Sequence, residues 1–128
     1  MNVQTYLLFD GRCDEMLAYY RNALGAEVQF LMRMKDNPDT KQTTLPPEVA
    51  ERIMHCSFRI GDTVVMGSDG NCNGMSSTGS PKFDGFQLTL NVANDAEATR
   101  AFAALSDGGK VNQPLVKTFF SPRFGMVT

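Results

Sequence analysis

Several features that would assign a chain to a familiar functional class are missing from this sequence. Its 128 residues include one histidine, three cysteines and no tryptophan. The 12 basic and 14 acidic side chains give a formal net charge of -2, so the sequence lacks the excess of basic residues typical of proteins that bind nucleic acids or anionic lipids. We therefore expect neither a nucleic-acid partner nor a membrane partner.

Long apolar runs are also missing. No stretch approaches the roughly 20 residues that a membrane-spanning helix needs, and the first residues lack the basic and apolar blocks of a secretory signal. These absences predict a cytoplasmic protein. Cys13, Cys56 and Cys72 are an odd number of cysteines at wide spacing, which suits neither a disulfide framework nor a CxxC metal pair. We expect three reduced thiols.

The sequence begins with the pattern of a strand, a helix and a second strand. "TYLLF" predicts a strand over Thr5–Phe9, and an apolar stripe followed by Gly25 predicts a helix over Cys13–Leu24. The members of that stripe, which we expect to be buried against the sheet, are Leu17, Tyr20 and Leu24. "AEVQFLMRM" then predicts a strand, and simple alternation places four apolar side chains on one of its faces. These are Val28, Phe30, Met32 and Met34.

A hairpin is predicted in the middle of the chain. "KDNPDTKQTTLPPEVAER" is polar and rich in proline, which predicts a long surface loop. In "RIMHCSFRIGDTVVMGSD", apolar and polar residues alternate on either side of a two-residue turn at Gly61 and Asp62. The glycine- and serine-rich "GNCNGMSSTGSPKFDG" predicts a further loop.

The opening pattern returns in the second half. "FQLTLNV" predicts a strand, Asp95–Leu105 a helix, and "KVNQPLV" another strand. When the two halves are superimposed, Leu24 aligns with Leu105 and Val28 with Val111. This correspondence predicts a duplicated β-α-β unit, with modules of about residues 1–70 and 84–128. Two unrelated helices in an α+β domain are the alternative.

Three segments carry a family resemblance. "TYLLFDGRCDEMLAYYRNALGAEV", "HCSFRIGDTVVMGSD" and "KTFFSPRFGMVT" together resemble the PhnB-like branch of the vicinal oxygen chelate superfamily, which includes glyoxalases, dioxygenases and bleomycin resistance proteins. The resemblance implies a single glyoxalase-like α+β domain over residues 1–128, with two βαβββ modules whose curled mixed sheets surround a central cavity. It also implies a homodimer. The last strand of the second module would lie beyond Thr128, next to a strand that we expect at the chain end, from Phe124 to Thr128.

The metal ligands of such proteins map poorly onto this sequence. The resemblance places the first three ligand positions near Tyr6, Met66 and Gln87, and the fourth on the strand beyond Thr128. Because a divalent ion needs several converging nitrogen or oxygen donors, one amide oxygen does not make a site. We therefore expect no metal and no other cofactor. A methyltransferase activity is not favoured either, since no glycine-rich nucleotide loop follows a predicted strand.

The residues that remain suggest a site for a small molecule. His55 is the one histidine and could serve as a proton shuttle, although a structural role in the sheet is the alternative. Cys56 alternates with it and should face the opposite side, which argues against a Cys-His nucleophilic pair. Asp69 is expected to cap its own turn. The candidate ligand-binding residues are Tyr6, His55, Arg59, Met66, Gln87, Thr89 and Phe120.

Two functions follow from this set. The first is a protein that binds a small, partly apolar molecule in a metal-free cavity with a mixed apolar and hydrogen-bonding wall. The second is a metal-dependent enzyme of the glyoxalase or dioxygenase type. The methionines and the rings of Phe119, Phe120 and Phe124 fit either a pocket wall or ordinary core packing.

Overall fold

The computed structural model describes residues 1–40, 44–70 and 83–128. The chain forms two compact units, Met1–Asp84 and Gly85–Thr128, which we call unit 1 and unit 2. Together they give an α+β protein with a mixed four-stranded sheet in unit 1 and a two-stranded sheet in unit 2. Cys72 and most of the predicted glycine- and serine-rich loop lie outside the described residues.

Unit 1 has the order β-α-β-β-β, apart from a short helix in its long loop. The elements are β1 (Tyr6–Leu8), α1 (Cys13–Leu24), β2 (Glu27–Arg33), α2 (Pro47–Ala50), β3 (Ile53–Ile60) and β4 (Thr63–Ser68). The sheet order is β1-β4-β3-β2, with β1 parallel to β4 and the other pairs antiparallel. The strands, the helix and the hairpin were all predicted from the sequence. The predicted surface loop contains α2 and two short 3-10 turns, Met34–Asp36 and Pro38–Thr40.

Helix α1 is fixed at both ends. At its start, the buried carboxylate of Asp69 accepts a hydrogen bond from the backbone N–H of Cys13 at 2.8 Å. At its end, Gly25 adopts a left-handed conformation with φ of 68°, and its N–H bonds to the carbonyl of Arg21. This is the usual glycine termination of a helix, and it agrees with the end predicted at Leu24.

The core of unit 1 lies between α1 and one face of the sheet. Leu17 is buried there as predicted, whereas Tyr20 and Leu24 are only half-buried. The prediction of full burial was wrong for these two: Tyr20 packs against the core as a partly buried residue, and Ala23 is the residue of the last turn that is buried. The buried core residues are Leu7, Cys13, Met16, Leu17, Ala26, Ile53, Cys56, Phe58 and Val65.

Unit 2 contains α3 (Asp95–Ser106), β5 (Val111–Val116) and β6 (Phe124–Val127), with β5 and β6 antiparallel. All three elements were predicted from the sequence. The Asn94 side chain caps α3 by accepting the N–H of Glu97 at 2.9 Å. On the packed face, Ala98 and Ala101 are buried, but Phe102 and Leu105 are half-buried. Phe102 instead covers Gly125 of β6, where a Cβ would lie 2.6 Å from the ring.

The prediction of a strand over "FQLTLNV" is wrong. Residues 86–92 do not form a strand in the structure, and Leu88 and Leu90 of that segment are exposed. A strand requires a hydrogen-bonded neighbour, and the described part of unit 2 pairs only β5 with β6. The second βαβββ module is therefore not observed, and unit 2 matches the first module only from the helix through two strands.

None of the described helices is long and apolar enough to span a membrane.

Candidate functional site

The side of the unit 1 sheet that faces away from α1 carries a row of four residues, one on each strand. Tyr6 on β1 pairs with Met66 on β4, Met66 with Ser57 on β3, and Ser57 with Phe30 on β2. Directly paired residues share one face of a sheet. Because the neighbouring Leu7 and Cys56 are core residues, alternation places the row on the opposite face, which we call the open face.

Phe30 reaches the open face because β2 is irregular. Val28 pairs with Phe58, and Phe30 pairs with Ser57, so one extra residue, Gln29, is accommodated between two consecutive partners on β3. Val28 packs against the core, while Phe30 and the next paired residue on its face, Met32, lie on the open face. The prediction that Val28 shares a face with Phe30 was therefore wrong, and Met34 lies beyond the strand in a 3-10 turn.

His55 occupies the open face beside this row, opposite Met32. The Tyr6 hydroxyl lies 3.1 Å from Nδ1 of His55, and the two ring centroids are 5.6 Å apart. Because β4 lies between their strands, the Tyr6 side chain crosses over β4 to make this bond. The Phe30 ring lies on the other side of His55, with centroids 5.9 Å apart. An imidazole is thus placed between a phenol and a phenyl ring.

This face is partly open to solvent. Tyr6 is 44% exposed and Phe30 is 46% exposed, while His55, Ser57 and Met66 are half-buried. The hydrogen bond between the phenol and the imidazole can have either group as its donor. If Tyr6 donates to Nδ1, the imidazole carries its proton on Nε2, and if Nδ1 carries the proton, Tyr6 accepts and keeps its own hydrogen for another acceptor. Both arrangements leave a donor for a bound molecule.

Arg59 lies apart from this group. It is four positions from His55, or ~13 Å along β3, and its guanidinium bonds the Glu27 carboxylate at 2.7 Å. That hydrogen bond and the negative charge of Glu27 raise the pKa of Arg59. Arg59 instead lines a shallow cleft of about 280 Å³ at the hairpin end of the sheet, together with Gly25, Glu27, Gly61 and Asp62. The structure therefore does not bring it together with Tyr6 and His55.

The open face does not suit the divalent metal that the family resemblance implies. The first two ligand positions, Tyr6 and Met66, are adjacent in the sheet, but they offer a phenol already bonded to His55 and a thioether. His55 is the one strong nitrogen donor nearby. Across the described ranges, no three His, Cys, Asp or Glu side chains are grouped closely enough to hold an ion. Catalytic zinc, nickel, manganese and iron sites require more nitrogen or oxygen donors than this.

Three predicted site residues lie in unit 2. Gln87 and Thr89 are exposed on the segment that does not form a strand. Phe120 is 59% exposed and packs edge-to-face against Phe119 and Phe124, with centroids 5.1 Å apart in each case. Because Phe119 and Phe120 are both exposed, these two rings are not part of the core of unit 2, whereas Phe124 is half-buried.

Two further side chains were expected to have structural roles. Cys56 is fully buried on the face opposite His55, so the structure offers no Cys-His pair at this site. Asp69 is a capping residue, but not of its own turn. Its two carboxylate oxygens accept the backbone N–H groups of Cys13 and Ile53, each at 2.8 Å. One carboxylate thus joins the start of α1 to the start of β3.

Comparisons with known proteins place the chain in a family. No protein-family model matches it. The protein YjdN from Escherichia coli K12 is 31% identical, over 100% of this chain and 88% of its own length. The chain belongs to the PhnB-like family. The resemblance of its first strand and helix, its hairpin and its closing segment to this branch of the vicinal oxygen chelate superfamily is therefore confirmed.

Solved structures of this glyoxalase-fold family agree. The protein PA1353 from Pseudomonas aeruginosa is 31% identical, with a TM-score of 0.74 over 100% of this chain and 89% of its own. A PhnB protein from Bacillus cereus, named as a candidate 3-demethylubiquinone-9 3-methyltransferase, has a TM-score of 0.75 over 99% of this chain and 90% of its own. At 20% identity, the second match supports the fold alone.

Three open-face residues were missed by the sequence interpretation of the site. Ser57 could have been found, because it alternates with His55 on the predicted hairpin strand. Met32 and Phe30 could not be combined with His55 from the sequence alone, since the register of β2 against β3 depends on the bulge at Gln29.

Proposed function

We propose that this PhnB-like protein binds a small, partly apolar molecule on the open face of unit 1, in a site without a resident metal. The observation that carries the proposal is the hydrogen-bonded pair of Tyr6 and His55, flanked by Phe30 on a half-exposed sheet face. Ligand sites combine apolar and aromatic walls with a few fixed polar groups, and this face offers both.

The side chains limit the chemistry of the ligand. The faces and edges of Tyr6 and Phe30 suit a planar or aromatic group. Met32 and Met66 supply adaptable apolar contacts, and the Tyr6-His55 pair supplies one hydrogen-bond donor for an acceptor on the ligand. We therefore expect a molecule with an unsaturated ring and at least one carbonyl, amide or hydroxyl oxygen.

The proposal also includes residues of unit 2. Gln87, Thr89 and Phe120 are exposed, and their part in ligand binding is inferred from the family resemblance. The same holds for Arg59, whose guanidinium is already paired with Glu27. The cytoplasmic location expected from the sequence is also part of this proposal.

Ligand binding can be tested with the fluorescent probe 8-anilinonaphthalene-1-sulfonate, which has fused aromatic rings and polar acceptors. We expect the dissociation constant to rise at least about fivefold in Phe30→Ala and in His55→Gln, or ~1 kcal/mol of binding free energy. Leu31→Ala is the matched control, because Leu31 is on the same strand but pairs with the core residue Cys56. Equal weakening in Leu31→Ala, or no binding by the parent protein, would contradict the proposal.

A metal-dependent enzyme of the glyoxalase or dioxygenase type is the competing function. The donor set on the open face argues against it, and metal analysis of the purified protein distinguishes the two functions. Stoichiometric nickel, zinc, manganese or iron would favour the enzyme. Native mass spectrometry of the same sample tests the binding function directly, because a co-purified organic molecule should appear as a defined mass increment.

We also propose a homodimer. Exposed apolar side chains occur in both units, including Tyr6 and Phe30 in unit 1 and Leu88 and Leu90 in unit 2. Within unit 1, Tyr6 and Phe30 share the open face, and an exposed apolar face is typical of a protein interface. Sedimentation equilibrium should give twice the chain mass, and a monomer at high micromolar concentration would contradict the proposal.

A further inference from the structure

The core of unit 1 contains two thiols that lie side by side. The sulfur of Cys13, on the first turn of α1, is 3.5 Å from the sulfur of Cys56, near the middle of β3. Both side chains are fully buried, and both cysteines are free. The wide separation of these residues in the sequence gave no indication that they would meet.

The surrounding structure holds the two sulfurs in this position. The Asp69 carboxylate accepts hydrogen bonds from the backbone N–H groups of Cys13 and of Ile53, which is three residues before Cys56. The start of α1 and the start of β3 are therefore held by one carboxylate. Gly67, the partner of Cys56 on β4, has no side chain, and a Cβ there would lie 3.6 Å from the Cys56 sulfur. A disulfide needs a separation of about 2.05 Å, so the sulfurs must approach by roughly 1.5 Å.

We propose that Cys13 and Cys56 are a redox-active pair that forms a disulfide with peroxides, covalently joining α1 to the strand that carries His55. The hydrogen bond between the thiols, followed by burial, raises the pKa of Cys13, while the same bond lowers the pKa of Cys56.

The chemistry balances with hydrogen peroxide as oxidant. One of the two cysteine sulfurs attacks one peroxide oxygen, so that an S–O bond forms, the O–O bond breaks, and the departing oxygen leaves as water with the thiol proton. The other cysteine sulfur then attacks the sulfenic sulfur, the S–S bond forms, and the S–O bond breaks with loss of a second water. Two thiols lose two electrons in total, and one peroxide gains them. Because both sulfurs are buried, the reaction requires α1 to open locally from the sheet.

Peptide mapping tests the pairing without any substitution. Trypsin places the three cysteines in separate peptides, residues 13–21, 53–59 and 60–82. After treatment of the native protein with excess peroxide and alkylation in denaturant, we expect peptides 13–21 and 53–59 to be linked and lighter by two hydrogens. The same treatment in sub-denaturing urea should speed the reaction. A link to peptide 60–82, irreversible sulfonic acids alone, or full alkylation of all three thiols under both conditions would overturn the proposal.

Thermal unfolding provides a second measurement. Cross-linking residues that are far apart in the sequence should raise the midpoint by about 5 °C or more, and dithiothreitol should reverse the rise. Cys72→Ser should retain the shift, and Cys56→Ala should abolish it. A peroxide-treated parent protein with an unchanged midpoint would overturn the proposal. Neither measurement depends on ligand binding, so this inference and the proposed function can fail separately.

Discussion

Tyr6 is hydrogen-bonded to His55 across the intervening strand β4, with 3.1 Å between the hydroxyl oxygen and Nδ1. Tyr6→Phe keeps the ring but removes this bond. We expect the free energy of unfolding to fall by about 0.5–1.5 kcal/mol, the usual contribution of one hydrogen bond, when measured by urea titration. The ¹⁵N chemical shifts of the imidazole should change as well, because Nδ1 loses its hydrogen-bond partner. Unchanged imidazole shifts would show that the two groups do not interact in solution.

Asp69 joins α1 to β3, and its loss should destabilise unit 1. In Asp69→Asn, one of the two carboxylate oxygens becomes an NH2 group that faces a backbone N–H donor. Because both donors are buried, the free energy of unfolding should fall by roughly 1–3 kcal/mol. Asp62→Asn, in the exposed hairpin turn, is the control and should change stability by no more than about 0.5 kcal/mol. Similar losses in the two variants would mean that the capping role is wrong.

The contact between Gly125 and Phe102 can be tested with a double-mutant cycle. A Cβ at Gly125 would lie 2.6 Å from Phe102 Cε2 and 3.1 Å from Leu115 Cδ2, so Gly125→Ala overfills unit 2 and should cost about 1–3 kcal/mol. Phe102→Leu is smaller and should reduce the penalty of the alanine. The double variant should therefore be more stable than the sum of the single effects predicts. If the two changes in unfolding free energy, measured by chemical denaturation, are strictly additive, the Phe102 ring does not contact position 125.

The alkaline limit of stability should depend on Tyr20. Its ring stacks on Phe58, with centroids 6.0 Å apart, and burial followed by the nearby Tyr19 charge raises the pKa of its phenol. In the unfolded chain the Tyr20 phenol ionises at about pH 10. Because its pKa is higher in the folded state, the contribution of the neutral phenol to stability is complete below about pH 10 and is lost as the pH rises through the folded pKa. Urea midpoints from pH 8 to 11 should fall more steeply in the parent protein than in Tyr20→Phe. Parallel pH profiles would contradict this assignment.

Local patterns in the sequence predicted most of the elements, because each pattern depends on neighbouring residues alone. The stripe ending at Gly25 predicted α1, and the Gly61-Asp62 turn predicted the β3-β4 hairpin with its observed bounds. The segment from Phe86 to Val92 has the same alternation but does not form a strand. Alternation shows which face a strand would bury, but not whether a neighbouring strand is available to pair with it.

The candidate site was predictable only in part. Tyr6 and Met66 came from the family resemblance, and His55 from its being the one histidine. Their closeness depends on the parallel pairing of β1 with β4, a long-range contact that no local pattern specifies. The Cys13-Cys56 pair and the two bonds of Asp69 escaped prediction for the same reason, since each joins residues far apart in the sequence.

The bulge at Gln29 makes β2 tolerant of a change in length at one place. Val28 and Phe30 pair with Phe58 and Ser57, which are consecutive on β3, so a chain without Gln29 would form a regular ladder with the same two faces. Loss of a residue elsewhere in the strand, such as Leu31, would instead transfer Met32 to the core side. Natural insertions and deletions in β2 should therefore concentrate at position 29, where they alter the bend of the strand but leave Phe30 beside His55.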